Sequence, residues 1–393
     1  MLDFESLEER ALYTDLLRAF HKKGHHLYVI SPVERRKKQP THIIESDNIS
    51  ILKLRIGNMR KTNVIEKGIS TLSIEFLVNR GIKKYYPNIK FDLVLYPTPP
   101  ITFANSIAYI KKRDNAKTYL LLKDIFPQNA VDIGMLTKSG LKSIIYKVFR
   151  RKEKTLYNIS DKIGCMSQAN VDYVIRNNQV DPSKIHINPN SIEVVEYNKD
   201  TEKNKAIRQK WNIPQNKKVF IYGGNLGRPQ DIPFLIKCLK QNSHREDCFF
   251  VICGTGTEYK KLQDYVEQEK PSNVLLLNGL PRAEYDDFIK AFDVGLIFLD
   301  HRFTIPNFPS RLLSYMQAKM PVICCTDANT DIGKITETGE FGIWCESNNP
   351  DNFTKAVDKM LTADLEKMGE AAYSYLKENY TSDKCCEIIL SNI

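Results

Sequence analysis

Long apolar runs are missing from this chain. None approaches the ~18–20 residues that cross a bilayer, and the longest, such as Val294-Gly295-Leu296-Ile297-Phe298-Leu299, have the length of buried strands. A basic-then-apolar leader is missing too: Met1 to Arg10 is acidic, so no secretory signal is expected. Paired metal-site spacing of cysteine is absent. The nine cysteines include the neighbours Cys324-Cys325 and Cys385-Cys386, which suit neither a zinc knuckle nor a disulfide framework. Reduced, mostly buried thiols of a cytosolic protein are expected. The seven histidines form no metal or triad spacing. GxSxG, HExxH, GxGxxG and the phosphate loop GxxxxGK[ST] do not occur. What is present is a globular composition, 42% hydrophobic and 26% charged, in 393 residues, enough for about two domains.

Charge is uneven. Residues 1–200 carry 33 Lys and Arg against 21 Asp and Glu, a net +12, while the remainder is net −2. The basic residues cluster at Arg35–Lys38, Lys111–Arg113 and Arg150–Lys154. An anionic membrane surface, nucleic acid or a phosphorylated substrate would each suit such a half. Nucleic acid is the weakest of these, because the clusters lack interleaved aromatics on a sheet face. From Leu141 to Lys152 apolar and basic residues alternate as in a helix lying on a membrane, or as in an ordinary amphipathic surface helix.

Periodicity divides the chain into two strand–helix alternations, each predicting a parallel sheet. Residues 1–192 form the first. Its strands are read at Leu27–Ile30, stopped by Ser31-Pro32, at Ile49–Ile56, Phe91–Tyr96, Lys117–Leu122, Lys162–Met166 and Lys184–Ile187. A long helix, Asn63–Tyr86, is read with Ile65, Ile69, Leu72, Phe76 and Leu77 inward. The alternation opens on a helix, Ser6–Phe20, where such domains usually open on a strand, so a first strand is expected to be missing. Polar residues 193–216, with Glu196, Lys199 and Lys203, read as a boundary. The second alternation, 193–374, runs from Lys218–Tyr222 onward, and a terminal helix of about 375–393 is expected to pack back on the first domain.

Three strand ends in the second half carry chemistry. Gly223-Gly224-Asn225-Leu226-Gly227 and Gly254-Thr255-Gly256 stand between strand and helix, where glycine lets backbone N–H groups approach a phosphate. Pro309-Ser310 opens a helix that continues Arg311-Leu312-Leu313-Ser314; Ser310 is expected to cap it, and its amides with Arg311 make an anion site. Arg228, Arg302 and Arg311 are the candidate diphosphate cations. Carboxylates are fewer: Asp124 after a strand of the first half, and Asp327 and Asp331, of which Asp331 reads better as a turn residue. Lys123-Asp124-Ile125-Phe126-Pro127-Gln128 follows a strand's carboxyl end, where α/β ligands bind.

In this order and spacing the segments resemble the retaining nucleotide-sugar glycosyltransferases of family 4. Asn190-Ser191-Ile192-Glu193, Tyr222–Gly227, Val251–Glu258, Val274–Pro281 and Phe308–Met316 with Met320–Ile323 carry the resemblance. Lys123–Gln128 and Thr326–Gly333 are similar to the bacterial O-antigen and capsule branch, which includes N-acetyl-L-fucosamine transferases. The resemblance implies an α/β GT-B fold, two Rossmann-like parallel-sheet domains facing a cleft. It implies a UDP-sugar donor on Gly224, Asn225, Gly254, Gly256, Pro309, Ser310, Leu312 and Ser314, with Asp124, Arg228 and Arg311 catalytic and Lys123 and Phe126 on the acceptor side. The acceptor would be a polyprenyl-diphosphate-linked sugar, and the enzyme cytoplasmic and peripheral on the inner face of the plasma membrane. No metal or cofactor is implied, since helix dipoles and basic residues carry the diphosphate.

Two departures alter this pattern. The family's Glu-x7-Glu carboxylates would fall at Pro306 and Ser314, and the lysine that many members carry after the first glycine loop is replaced around Gln230-Asp231. A non-catalytic GT-B binding subunit and a UDP-sugar 2-epimerase are the alternative readings.

Overall fold

The computed structural model describes residues 4–59, 62–140, 142–196 and 200–393. It forms two compact units, one ending at Glu193 and regained at Ser382–Ile393, the other Val194–Thr381.

The first unit holds two sheets rather than the expected one. Strands β1 (Leu27–Glu34), β2 (His42–Ser46) and β3 (Ile49–Ile56) lie in the order β1-β3-β2. β1 pairs parallel with β3, whereas β2, which alternation did not reveal, is antiparallel to it. Strands β4 (Leu93–Pro97), β5 (Lys117–Leu122), β6 (Lys162–Cys165) and β7 (Ile185–Ile187) form a separate parallel sheet in that order. Among the described residues β1 and β4 are therefore both edge strands. This explains why β1 runs through Pro32, opposite Leu54, instead of stopping there: proline donates no hydrogen bond and is tolerated at an edge. Phe4 and Leu7 bury themselves with Leu27 and Ile51 of the first sheet and Tyr119 and Leu121 of the second, and Lys53 Nζ donates to Phe4 O at 2.9 Å. Helix Leu12–Lys22 adds Leu16 and Phe20 to this cluster, and helix Ser382–Ser391 adds Cys385, Cys386 and Ile389.

Helix Val64–Tyr85 buries Ile74, Val78 and Ile82, a stripe of four-residue spacing. The expected Phe76 is 66% exposed instead. The side chains of Ile65, Ile69 and Leu72, and residues Leu141 and Lys199, lie outside the described part.

The second unit is one six-stranded, wholly parallel sheet. Strands β8 (Lys218–Asn225), β9 (Cys248–Thr255), β10 (Val274–Leu277), β11 (Val294–Phe298), β12 (Val322–Thr326) and β13 (Gly342–Glu346) stand in the order β10-β9-β8-β11-β12-β13. Its core joins Phe220, Phe250, Phe298 and Phe353 to the apolar face of helix Ile232–Gln241. The polar stretch before β8 is not a free linker. It contains helix Thr201–Lys210, whose Arg208 donates to Ala291 O at 2.7 Å and to Asp293 at 2.8 Å. Helix Leu365–Asn379 stays with this unit, so only residues from Ser382 onward return to the first.

Candidate active site

In the second unit, adjacent strands β8 and β9 bring both glycine turns together. They pair in register with Gly224 opposite Gly254. A Cβ on Gly254 would lie 2.0 Å from Gly224 O, so glycine there is required by the close approach of the two loops. Gly256 meets the same loop, since Leu226 O accepts from Glu258 N–H at 2.9 Å. Gly224 itself has φ +123°, a conformation open in practice to glycine alone.

Beside Gly224 stands Arg311. Its guanidinium lies 3.6 Å from where a Cβ of Gly224 would be, and stacks on the Tyr222 ring at 4.2 Å from the ring centre. Nη1 of Arg311 is buried without a hydrogen-bond partner. The groups packed around this cation are the tyrosines Tyr222, Tyr315 and Tyr285. Tyr315, on the same helix, donates to Ile221 O at 3.1 Å and accepts the Gly223 N–H at 3.0 Å. That pair of bonds sets the helix against the end of β8. Burial pushes the Tyr315 hydroxyl up to about 12, so it stays a neutral donor.

Other residues of the opening turn behave differently. Helix Arg311–Gln317 is seven residues long, and Ser310 makes no capping bond. The Leu312 and Leu313 amides donate to Pro309 O and Ser310 O. Leu312 is fully buried in the core, so its side chain is no donor contact. Ser310 is exposed, and Pro309 and Ser314 are half-buried. The candidate anion site is thus the Arg311 side chain with the Gly224 loop, not a capped helix start.

Asn225 is exposed and donates through Nδ2 to Gln230 Oε1 at 3.0 Å, and Gly227 N–H donates to the same oxygen at 3.2 Å. Gln230 therefore holds the loop from inside. The sequence marked this position only as a missing lysine. Arg228 is well exposed, its nearest carboxylate being Glu258 at 3.9 Å. Arg302 is already engaged by both oxygens of buried Asp300, at 2.9 and 3.2 Å from its Nε. Asp300, Asp231 and His301 bring three ligand-type atoms within 4.8 Å, the one such group among the described residues, but Arg302 closes the Asp300 carboxylate. Asp327 Oδ1 accepts from the Asn329 and Thr330 amides at 2.9 and 3.0 Å, a turn role. Asp331 starts helix Ile332–Thr338.

In the first unit, Lys123 and Asp124 follow β5. Lys123 Nζ donates to Asn188 O at 3.2 Å and Pro189 O at 3.0 Å. Asp124 Oδ1 accepts from Asn129 Nδ2 at 2.7 Å, and Thr98 Oγ1 donates to Asp124 O at 3.1 Å. Part of each side chain reaches solvent, yet protein packs densely around both. Burial lowers Lys123 to about 8 and raises Asp124 to about 6. Phe126 turns edge-on to Phe149, ring centres 5.0 Å apart, and packs against the core rather than presenting a free face.

This geometry agrees with what the chain resembles. Residues 12–196 match the family model described as Glycosyltransferase Family 4, and residues 203–375 match Glycosyl transferases group 1. The chain is 24% identical over 358 residues to the probable glycosyltransferase WbjE of Pseudomonas aeruginosa, covering 90% of this chain and 86% of that protein. It is 24% identical over 231 residues to an Escherichia coli UDP-Gal:alpha-D-GlcNAc-diphosphoundecaprenol alpha-1,3-galactosyltransferase, covering 57% of each. Among solved structures, sucrose-phosphate synthase from Thermosynechococcus elongatus superposes with a TM-score of 0.74 at 14% identity, covering 96% of this chain and 91% of that one. With one family model on each unit and a neighbour of the same two-domain architecture, the chain belongs to the family 4 glycosyltransferases of the GT-B fold.

Proposed function

We propose that this enzyme is a retaining transferase that moves a sugar from a UDP-sugar to a polyprenyl-diphosphate-linked acceptor in O-antigen or capsule synthesis. The sugar class is N-acetyl-L-fucosamine or a similar amino sugar, after the branch that Lys123–Gln128 resembles. The observation that carries the reading is Arg311: a half-buried cation whose Nη1 is itself buried without a partner, ringed by tyrosines and set against the Gly224 loop. Such a cation is stabilised by an anion of matching geometry, and a diphosphate supplies one. One curated relative's name also contains a UDP-sugar and a diphosphoundecaprenol acceptor.

In this reading the acceptor hydroxyl attacks the anomeric carbon on the face that the diphosphate leaves. The C–O bond to the diphosphate breaks, and the hydroxyl proton passes to a diphosphate oxygen. Arg311 stabilises the charge that grows on the leaving group, with Arg228 at the rim. Asn225 and Ser314 flank the donor. In the first unit, Asp124, ionised above about 6, and its chain neighbour Lys123 are the candidate acceptor-side residues. The cation needed at the diphosphate is thereby provided by arginine, and no metal is invoked. The enzyme works at the inner face of the plasma membrane, where a polyprenyl-linked acceptor resides.

Arg311→Ala tests this. Loss of a charge-assisted fork is worth about 2–3 kcal/mol, so UDP affinity measured by calorimetry in the presence of a chelator should fall on the order of a hundredfold, and turnover should vanish. Wild-type affinity in the variant would sink the site. UDP binding without turnover of any donor in the wild type would instead favour a non-catalytic role.

A further inference from the structure

The first unit carries an outward apolar patch that no part of the proposed chemistry uses. Helix Lys142–Ile159 packs inward through Ser143, Glu153, Leu156 and Tyr157, all buried. In its first two turns Ile144 is 62% exposed and Ile145 and Val148 are each 49% exposed. Met135, in the loop before the helix, is 55% exposed. These four are among the largest apolar exposures of the described chain, and they fall within one short stretch. Lys138 Nζ, 5.7 Å over the Tyr146 ring, draws that loop against the helix.

Charge decides what covers this patch. Residues 133–152 hold six Lys and Arg and no Asp or Glu. Arg150 is bound to Glu153 and to Asn178, and Lys152 faces Glu75 at 3.9 Å. Lys138, Lys147, Arg151 and Lys154 are exposed. By helical spacing Arg151 continues the Ile144–Val148 stripe, and Lys147 and Lys154 flank it. Aliphatic residues in the centre with cations along the border match the apolar interior and anionic surface of a lipid leaflet. No helix among the described residues is long and apolar enough to cross a membrane, so this contact would be peripheral.

We propose that this face is a docking surface for anionic lipid, with Met135, Ile144, Ile145 and Val148 inserted below the headgroups and Lys138, Lys147 and Arg151 on lipid phosphates. It deepens, and rests on, the reading that the acceptor is lipid-linked. The site holds the first unit on the leaflet that carries that acceptor.

The test is co-sedimentation of the full-length protein with protein-free vesicles of phosphatidylcholine alone or mixed with phosphatidylglycerol. The wild type should bind the mixed vesicles, and added salt should weaken binding. A triple variant, Ile144→Glu, Ile145→Glu and Val148→Glu, should reduce partitioning by at least about tenfold. A double variant, Lys147→Glu and Arg151→Glu, should lose the preference for phosphatidylglycerol. All these side chains are exposed, so both variants should melt as the wild type does and bind UDP unchanged. Failure of the wild type to bind anionic vesicles at low salt overturns the proposal and leaves a protein partner as the occupant. Wild-type partitioning of the triple variant overturns it equally. UDP affinity is read separately, so loss of the donor-site reading would be seen as loss of UDP binding with vesicle binding intact.

Discussion

Arg311 and Asp124 illustrate how partial burial changes the chemistry open to a charged side chain. A solvated arginine is worth little as an anchor, because water already satisfies it. Arg311 is half-buried and stacks on the Tyr222 ring, and its buried Nη1 has no protein acceptor. Asp124 shows the opposite cost: burial raises it to about 6. Its folded pKa exceeds the ordinary carboxylate value, so its contribution to stability is complete below about 4 and is lost as pH rises through about 6. Asp124→Asn should therefore raise the melting temperature at pH 8, by at most ~3 kcal/mol of stability, and hardly change it at pH 4. The same titration should appear in kcat/KM as an acid limb near 6, with a second limb near 8 from Lys123. Asp124→Asn should cost activity and abolish the acid limb. An unchanged profile would remove Asp124 from the chemistry.

At the level of elements, the glycine loop after β8 is held by hydrogen bonds to one neutral side chain. Gln230 Oε1 accepts from the Gly227 amide and from Asn225 Nδ2, where many family members carry a lysine. Gln230→Ala should leave two donors without their acceptor, at about 1–3 kcal/mol. The expected readout is weaker UDP binding by about tenfold or more, with only a modest change in melting. Gly224→Ala should act more severely on the same loop, since its φ of +123° is strained for any side chain. If both variants bind UDP like the wild type, the loop does not hold the diphosphate.

On the scale of the whole molecule, the two units exchange one piece of chain. Helix Ser382–Ser391 gives Cys385, Cys386 and Ile389 to the first unit's core, while the helix before it belongs to the second. Deleting residues 382–393 removes several buried side chains, each worth about 1.5–3 kcal/mol. A lower melting transition that UDP no longer shifts is expected for the first unit, and UDP should still raise that of the second. Loss of both transitions together would show that the units do not fold independently.

Much of this was legible in the chain itself, because some physics is local. Strand–helix alternation, the glycine turns at strand ends and the absence of long apolar runs follow from periodicity and from glycine's lack of Cβ. They indicated two parallel-sheet domains and brought Gly224, Gly254 and Arg311 forward as one site. What local pattern cannot carry is the identity of a neighbour. Nothing near Arg311 in sequence predicts Tyr222 beneath it or Tyr285 beside it, and nothing near Ser310 shows that its hydroxyl would stay uncapped. Leu312 and Phe126 looked like site residues and became core, since inward and outward faces of short segments are settled by what packs against them. Pro32 read as a stop and became part of an edge strand, because only the sheet reveals which amides need partners. Arg302 read as a phosphate ligand until Asp300 closed on it. Sequence alone determined which residue types stood at the strand ends. Tertiary structure decided which charges were left without a partner, because pairing depends on distance in space and not along the chain.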